Sequence, residues 1–203
     1  SINAGNSANS SNDFSITARS DIVSGTNLFV SIHIQDENGY GRTENLTVRV
    51  GNVSVNDPLG PDEYGYYIYD SGDTDYDLSP EYDWIEIENT GSNLNLSNSG
   101  NGNWSGNGPI ETVSLPFTFK FYGVDYDEMT ICTNGWIALG ETNAESFRNY
   151  PIPGAGGPSP MIAAFWDDLE TGNNGDVYVY NSNNYVVVQW NDMRTNISNS
   201  LET

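Results

Sequence analysis

The chain has little of what redox, metal and nucleic-acid chemistry usually draw on: one cysteine, one histidine and six basic residues in 203 positions. A single Cys132 excludes an internal disulfide framework and a cysteine zinc cluster. Its strand-like setting, MTICTNGW, points to a buried, inert thiol. His33 is the one possible centre of a Ser-His-Asp triad or Cys-His dyad. It falls on the less apolar face of an alternating segment with no G-x-S-x-G stretch nearby, so nucleophilic catalysis is not expected. Six bases against 28 acids leave a net charge of −22. Nucleic acid and anionic membrane both need clustered Lys and Arg, so both are excluded as partners; divalent cations are attracted instead. No apolar run approaches the roughly 18 residues of a membrane-spanning helix, and no amphipathic helical period is present. With no leader pattern before Ser1, a secreted origin would make this a processed or excised piece.

What is present favours β structure. Thirteen tyrosines, seven phenylalanines and five tryptophans supply a core, and aromatic residues suit a pleated, half-buried surface. Residues 1–12 are small and polar and read as a flexible tail, linker or donor segment. In NLFVSIHIQD, Leu28, Val30, Ile32 and Ile34 alternate with Phe29, Ser31, His33 and Gln35. An Asn-Gly turn in DENGYGR then returns the chain through TENLTVRVG. Residues 13–51 therefore read as about three strands, the end of a β domain. Residues 52–65 are a turn-rich connector opening a second domain, 52–203. Strands are expected there at either end of YYIYDSGDTDYDLSPEYDWIEIEN, in VSLPFTFKFYG, EMTICTN, GWIALG, PMIAAFWDD, GDVYVYN and NYVVVQWND. Pro116 marks an edge or strand-start position. Short strands at this spacing predict an all-β, antiparallel β-sandwich.

Several segments in one order, DPLGPDEYGYYIYD, YDWIEI, LPFTFKFYG, TICTNGWIALG, NYPIPG, PMIAAFWDDL and VVVQWNDMR, resemble a nidogen-like accessory domain of large secreted bacterial proteins, including gingipain-like and other secreted peptidases and adhesins. The resemblance spans most of residues 57–194. It implies a non-catalytic jelly-roll or nidogen-like module preceded by the end of an immunoglobulin-like domain. It also implies one more apolar strand after QWNDMR, whereas MRTNISNSLET is polar and offers no obvious closing strand. A sheet short of a strand is sticky. A neighbouring copy can complete it by strand addition, and such head-to-tail contacts build filaments. The expected donor is Asp13, Phe14, Ser15, Ile16, Thr17 and Ala18.

Two acidic loops are calcium candidates because hard oxygen ligands on flexible loops suit that ion. In DSGDTDYD, Asp73, Asp75 and Asp77 alternate, with Asp70 close by. In DDLETGNNGD, Asp167 or Asp168, Glu170, Asn173 and Asp176 could surround a cation, although ending a buried strand is the simpler role. Asp167 and Asp168 leave an extended chain on opposite faces and make a poor acid/base pair. Lys120 alternates with phenylalanines and is expected at the surface. Loop-borne Trp104 is the candidate for stacking on a glycan, whereas Trp84, Trp136, Trp166 and Trp190 are expected in strands and core. N-x-S/T sequons begin at Asn9, Asn45, Asn52, Asn95, Asn103 and Asn196. The function these readings support is an extracellular structural or adhesive protein, a subunit or repeat of a filament. An accessory or targeting module of a secreted peptidase and a carbohydrate-binding module are the alternatives.

Overall fold

The computed structural model describes residue 6 and residues 14–19, 22–195 and 201–202. It contains no helix among them and divides into two compact units, Ser1–Tyr82 and Asp83–Thr203. The connector 52–65 and the acidic loop 70–77 therefore both belong to the first unit.

In the first unit β1 (Asn27–Gln35) pairs along its whole length with β2 (Gly41–Arg49), from Asn27↔Arg49 to Gln35↔Gly41. The expected Asn-Gly turn closes the hairpin: the Asp36 carboxylate accepts the backbone N–H of Asn38 and Tyr40 at 2.9 and 2.8 Å. Leu28, Val30 and Ile32 share the half-buried face, while Phe29 on the other is 83% exposed. The third expected strand is absent: residues 14–18 carry no strand and are exposed, and Asp13 lies outside the described residues. The acidic loop's flanks differ too. On the first flank a lone bridge, Leu59↔Ile68, replaces a ladder. The second flank, 81–89, forms no strand, and Tyr82, Trp84 and Ile85 are exposed. Alternation prepared these residues for a sheet, but among the described residues no neighbouring strand meets them. Ile87 N–H finds a side chain instead, the Gln189 amide oxygen at 2.9 Å.

Among its described residues the second unit holds three antiparallel sheets. Four strands follow the order β4 (Ile110–Phe121), β5 (Val124–Cys132), β6 (Trp136–Leu139), β7 (Met161–Ala163). β3 (Ser92–Asn93) flanks β9 (Asp176–Asn181), which pairs with β10 (Val186–Asn191). β8 (Leu169–Glu170) pairs with β11 (Met193–Thr195), which pairs with β12 (Leu201–Glu202). No sheet closes into a barrel, and the arrangement is that of an all-β sandwich. The last pairing corrects the expectation that the polar C-terminal segment provides no strand: backbone pairing needs no apolar side chains. Pro116, lacking an N–H, falls where the β4–β5 register shifts between Ser114 and Phe119, on an edge strand as expected.

The core centres on Met129, Ile131, Leu139, Leu169, Val177, Val179 and Met193, with Leu96. A second cluster joins Cys132, Trp136, Ala138 and Trp166. Cys132 is fully buried and desolvation pushes its thiol up to about 12, so it carries no thiolate at neutral pH. Gly135 sits in the left-handed region (φ 76°), and a Cβ there would lie 1.8 Å from the Phe165 carbonyl oxygen. That contact lets the β5–β6 turn abut residues 165–169.

Candidate functional site

The acidic loops are built from side chains that cap their own backbone. Asp73, buried in the first unit, accepts the Asp70 N–H at 2.7 Å, and Asp70 accepts the Gly72 N–H at 2.7 Å. Asp75 and Asp77 remain exposed. A second lock adjoins them: the Tyr76 hydroxyl donates to Asp57, whose other oxygen accepts the Ser54 N–H at 2.6 Å. In the second unit Asp167 accepts the Asp168 N–H at 2.8 Å. Asp168 accepts the Asn101 N–H on both oxygens at 3.0 and 2.9 Å, joining the strand-ending turn to the 98–103 loop. Glu170 lies opposite Arg194 in the β8–β11 ladder, and Asp176 opens β9, where it accepts the Tyr178 hydroxyl at 3.4 Å. Among the described residues no three of His, Cys, Asp and Glu come together as a metal-binding group. The run of acids after Trp166 is thus divided between turn capping and separate strands. His33 is exposed, 3.2 Å from the Thr43 hydroxyl. Lys120 is exposed and pairs with Asp125.

An apolar groove of about 470 Å³ opens in the second unit. Leu115, Phe117 and Phe119 of β4, Ile137 of β6 and Ile162 of β7 form one wall, and Val186, Val188 and Trp190 of β10 the other. These side chains recur every second residue, as expected for the inward face of paired sheets. Yet Ile162 remains 39% exposed, and most of the others are only half-buried. Among the described residues β10 pairs only with β9 and β7 only with β6, so each leaves an unpaired edge beside the groove. A second opening of about 330 Å³ shares Ala164, Val188 and Trp190 with it and extends the apolar surface to Phe165 and Trp84. Trp84, 54% exposed and outside any strand, was expected in the core; its indole N–H donates to Glu86 at 3.2 Å instead.

Trp104 lies in the loop 99–108, 48% exposed, with its indole N–H on Glu145 at 3.1 Å. Glu145 opens a segment held from beneath by three buried donors. Asn134 reaches the Glu145 carbonyl at 3.3 Å, and Trp136 and Trp166 both donate their indole N–H to the Ser146 carbonyl, at 2.8 and 3.0 Å. Of the sequons, Asn45, Asn52, Asn95 and Asn103 are exposed, whereas Asn9 and Asn196 lie outside the described residues. Pattern reading missed the groove, whose signal was the inward alternation of VSLPFTFKF and YVVVQW without enough strands to cover both faces. It also missed the pinned segment, whose Phe147, Arg148 and Tyr150 stand in an irregular loop with no period to read.

An open, helix-free β-sandwich is therefore the class of protein the second unit defines. The particular family follows from comparison: the profile described as NIDO related matches residues 76–203, more than half of the chain, and the chain belongs to that family. No curated protein and no solved structure matches it. No helix among the described residues is long and apolar enough to cross a membrane.

Proposed function

We propose that this chain is a non-enzymatic extracellular protein that serves as a structural or adhesive subunit, joining copy to copy by strand addition. One observation carries the reading: an apolar groove bordered by the edges of β10 and β7, unpaired among the described residues. An added strand would hydrogen-bond to the β10 edge and place alternate side chains against Leu115, Phe117, Ile162 and Val188. The same chain carries a segment of that pattern. Phe14 and Ile16 alternate with polar residues and are 86% and 54% exposed, and residues 13–18 match β10 in length. Burying two such side chains contributes roughly 1.5–3 kcal/mol each. The donor belongs to the first unit and the groove to the second, so the contact joins unlike segments, is heterologous and propagates instead of closing.

Sedimentation velocity over a concentration series tests this. Association that rises with concentration, and that is lost in Phe14→Ser/Ile16→Ser and in Val188→Asp, supports it. A monomer at every concentration would leave an accessory module without self-assembly.

A further inference from the structure

We infer that the pinned segment 145–150, with Trp104, forms a binding platform for neutral pyranose oligosaccharides, separate from the groove. Residues 141–150 contain no strand, yet the backbone at Glu145 and Ser146 receives the three side-chain hydrogen bonds of Asn134, Trp136 and Trp166. Trp136 and Trp166 are themselves buried, so the segment is mounted on the core and loses little entropy when a ligand binds. Two buried indoles converging on one carbonyl oxygen hold in place a stretch whose Phe147 is half-buried and whose Arg148 and Tyr150 are exposed.

Those side chains have the chemistry of sugar recognition. Phe147, Arg148 and Tyr150 line a shallow cleft of about 340 Å³ with Ser146 and Gly156, within the range of roughly 300–1,000 Å³ typical of small-molecule sites. The Arg148 guanidinium lies 5.3 Å from the Phe147 ring centroid and has no carboxylate partner among the described residues, leaving donors available for hydroxyls. Tyr150 is 48% exposed and its ring rests against Gly156; Phe147 contacts Gly102 of the loop that carries Trp104. Glu145 fixes the Trp104 indole and supplies acceptor oxygens beside it. Aromatic faces suit the C–H face of a pyranose, and the mixed donors and acceptors suit its hydroxyls. The net charge of −22 selects a neutral sugar over a sulfated or sialylated one.

The test is isothermal titration of the full chain with neutral hexaoses of glucose, galactose, mannose, xylose and N-acetylglucosamine. Saturable binding to at least one is expected, weakened tenfold or more by Trp104→Ala and by Phe147→Ala, with far-UV circular dichroism unchanged. Arg148→Ala weakens it without altering Trp104 fluorescence, whereas Glu145→Gln changes both, as a positioning residue should. Absence of binding across the panel overturns the proposal, as do preference for sulfated sugars and unchanged affinity in both aromatic variants. Val188→Asp, which disables the groove, is expected to leave glycan affinity intact.

Discussion

Trp190 on β10 donates its indole N–H to the Cys132 carbonyl oxygen at the end of β5, at 2.7 Å. The bond fastens β10 to the four-stranded sheet at one end, while among the described residues β10's outer edge stays unpaired. Trp190 also lines the groove, so one residue sets both the attachment of the strand and a wall of the opening. Trp190→Phe keeps most of the ring and deletes the donor beside a buried residue. A loss of about 1–3 kcal/mol in chemical denaturation is expected, and an unchanged midpoint would show that the bond does not hold β10.

The β5–β6 turn allows almost no substitution. At Gly135 a methyl group meets both an unfavourable φ and the Phe165 carbonyl. Gly135→Ala is expected to lower stability by about 2 kcal/mol or more. Wild-type melting behaviour in that variant would mean that residues 135 and 165 do not lie this close.

The Asp57–Tyr76 pair makes the first unit sensitive to pH at both extremes. Hydrogen bonding from the Tyr76 hydroxyl, and then from the Ser54 N–H, lowers the Asp57 carboxyl below its ordinary value of 3.8. Its contribution is present above that value and is lost as pH falls through the lowered one. The same hydrogen bond is the main cause raising Tyr76 from 10.0 to about 12. A raised folded-state value means the neutral phenol is favoured, so this contribution is full below pH 10 and disappears as pH rises to about 12. Thermal melts against pH should show both losses, and Tyr76→Phe should remove the alkaline one and weaken the acidic one. Identical pH profiles in the two proteins would contradict the pairing.

For the acidic loop, capping and calcium binding separate cleanly. Asp73→Ala removes a buried acceptor from the Asp70 N–H and is expected to cost about 1–3 kcal/mol, measured equally with and without EDTA. If chelator lowered the wild-type melting temperature and cancelled the effect of the substitution, a bound cation would be carrying the stability instead.

The fold was legible where local pattern and pairing agree. The alternation of β1 and the Asn-Gly turn identified a hairpin, although its return strand begins and ends two residues earlier, at Gly41–Arg49, than the pattern TENLTVRVG suggested, and Pro116 marked an edge. Reading failed where the outcome depended on a partner distant in sequence. Ile87 is claimed by Gln189 some hundred positions away, which no local period announces. The strand at 201–202 needs only backbone groups. Trp104 could be singled out as loop-borne, but the Ser146 carbonyl, where Trp136 and Trp166 meet, has no signature of its own. The groove is similar: Leu115, Phe117 and Phe119 on β4 and Val186, Val188 and Trp190 on β10 showed the inward alternation, while the shortage of covering strands emerges only from the pairing order.

The most direct test of the account is the sedimentation coefficient of the full chain against concentration at low and high salt. Two surfaces of the same net charge repel, and screening relieves that repulsion. A shift to larger species with concentration is expected, strengthening as salt rises and vanishing in Val188→Asp. One slow-sedimenting species at all concentrations and salts, unaltered by Val188→Asp, would contradict it.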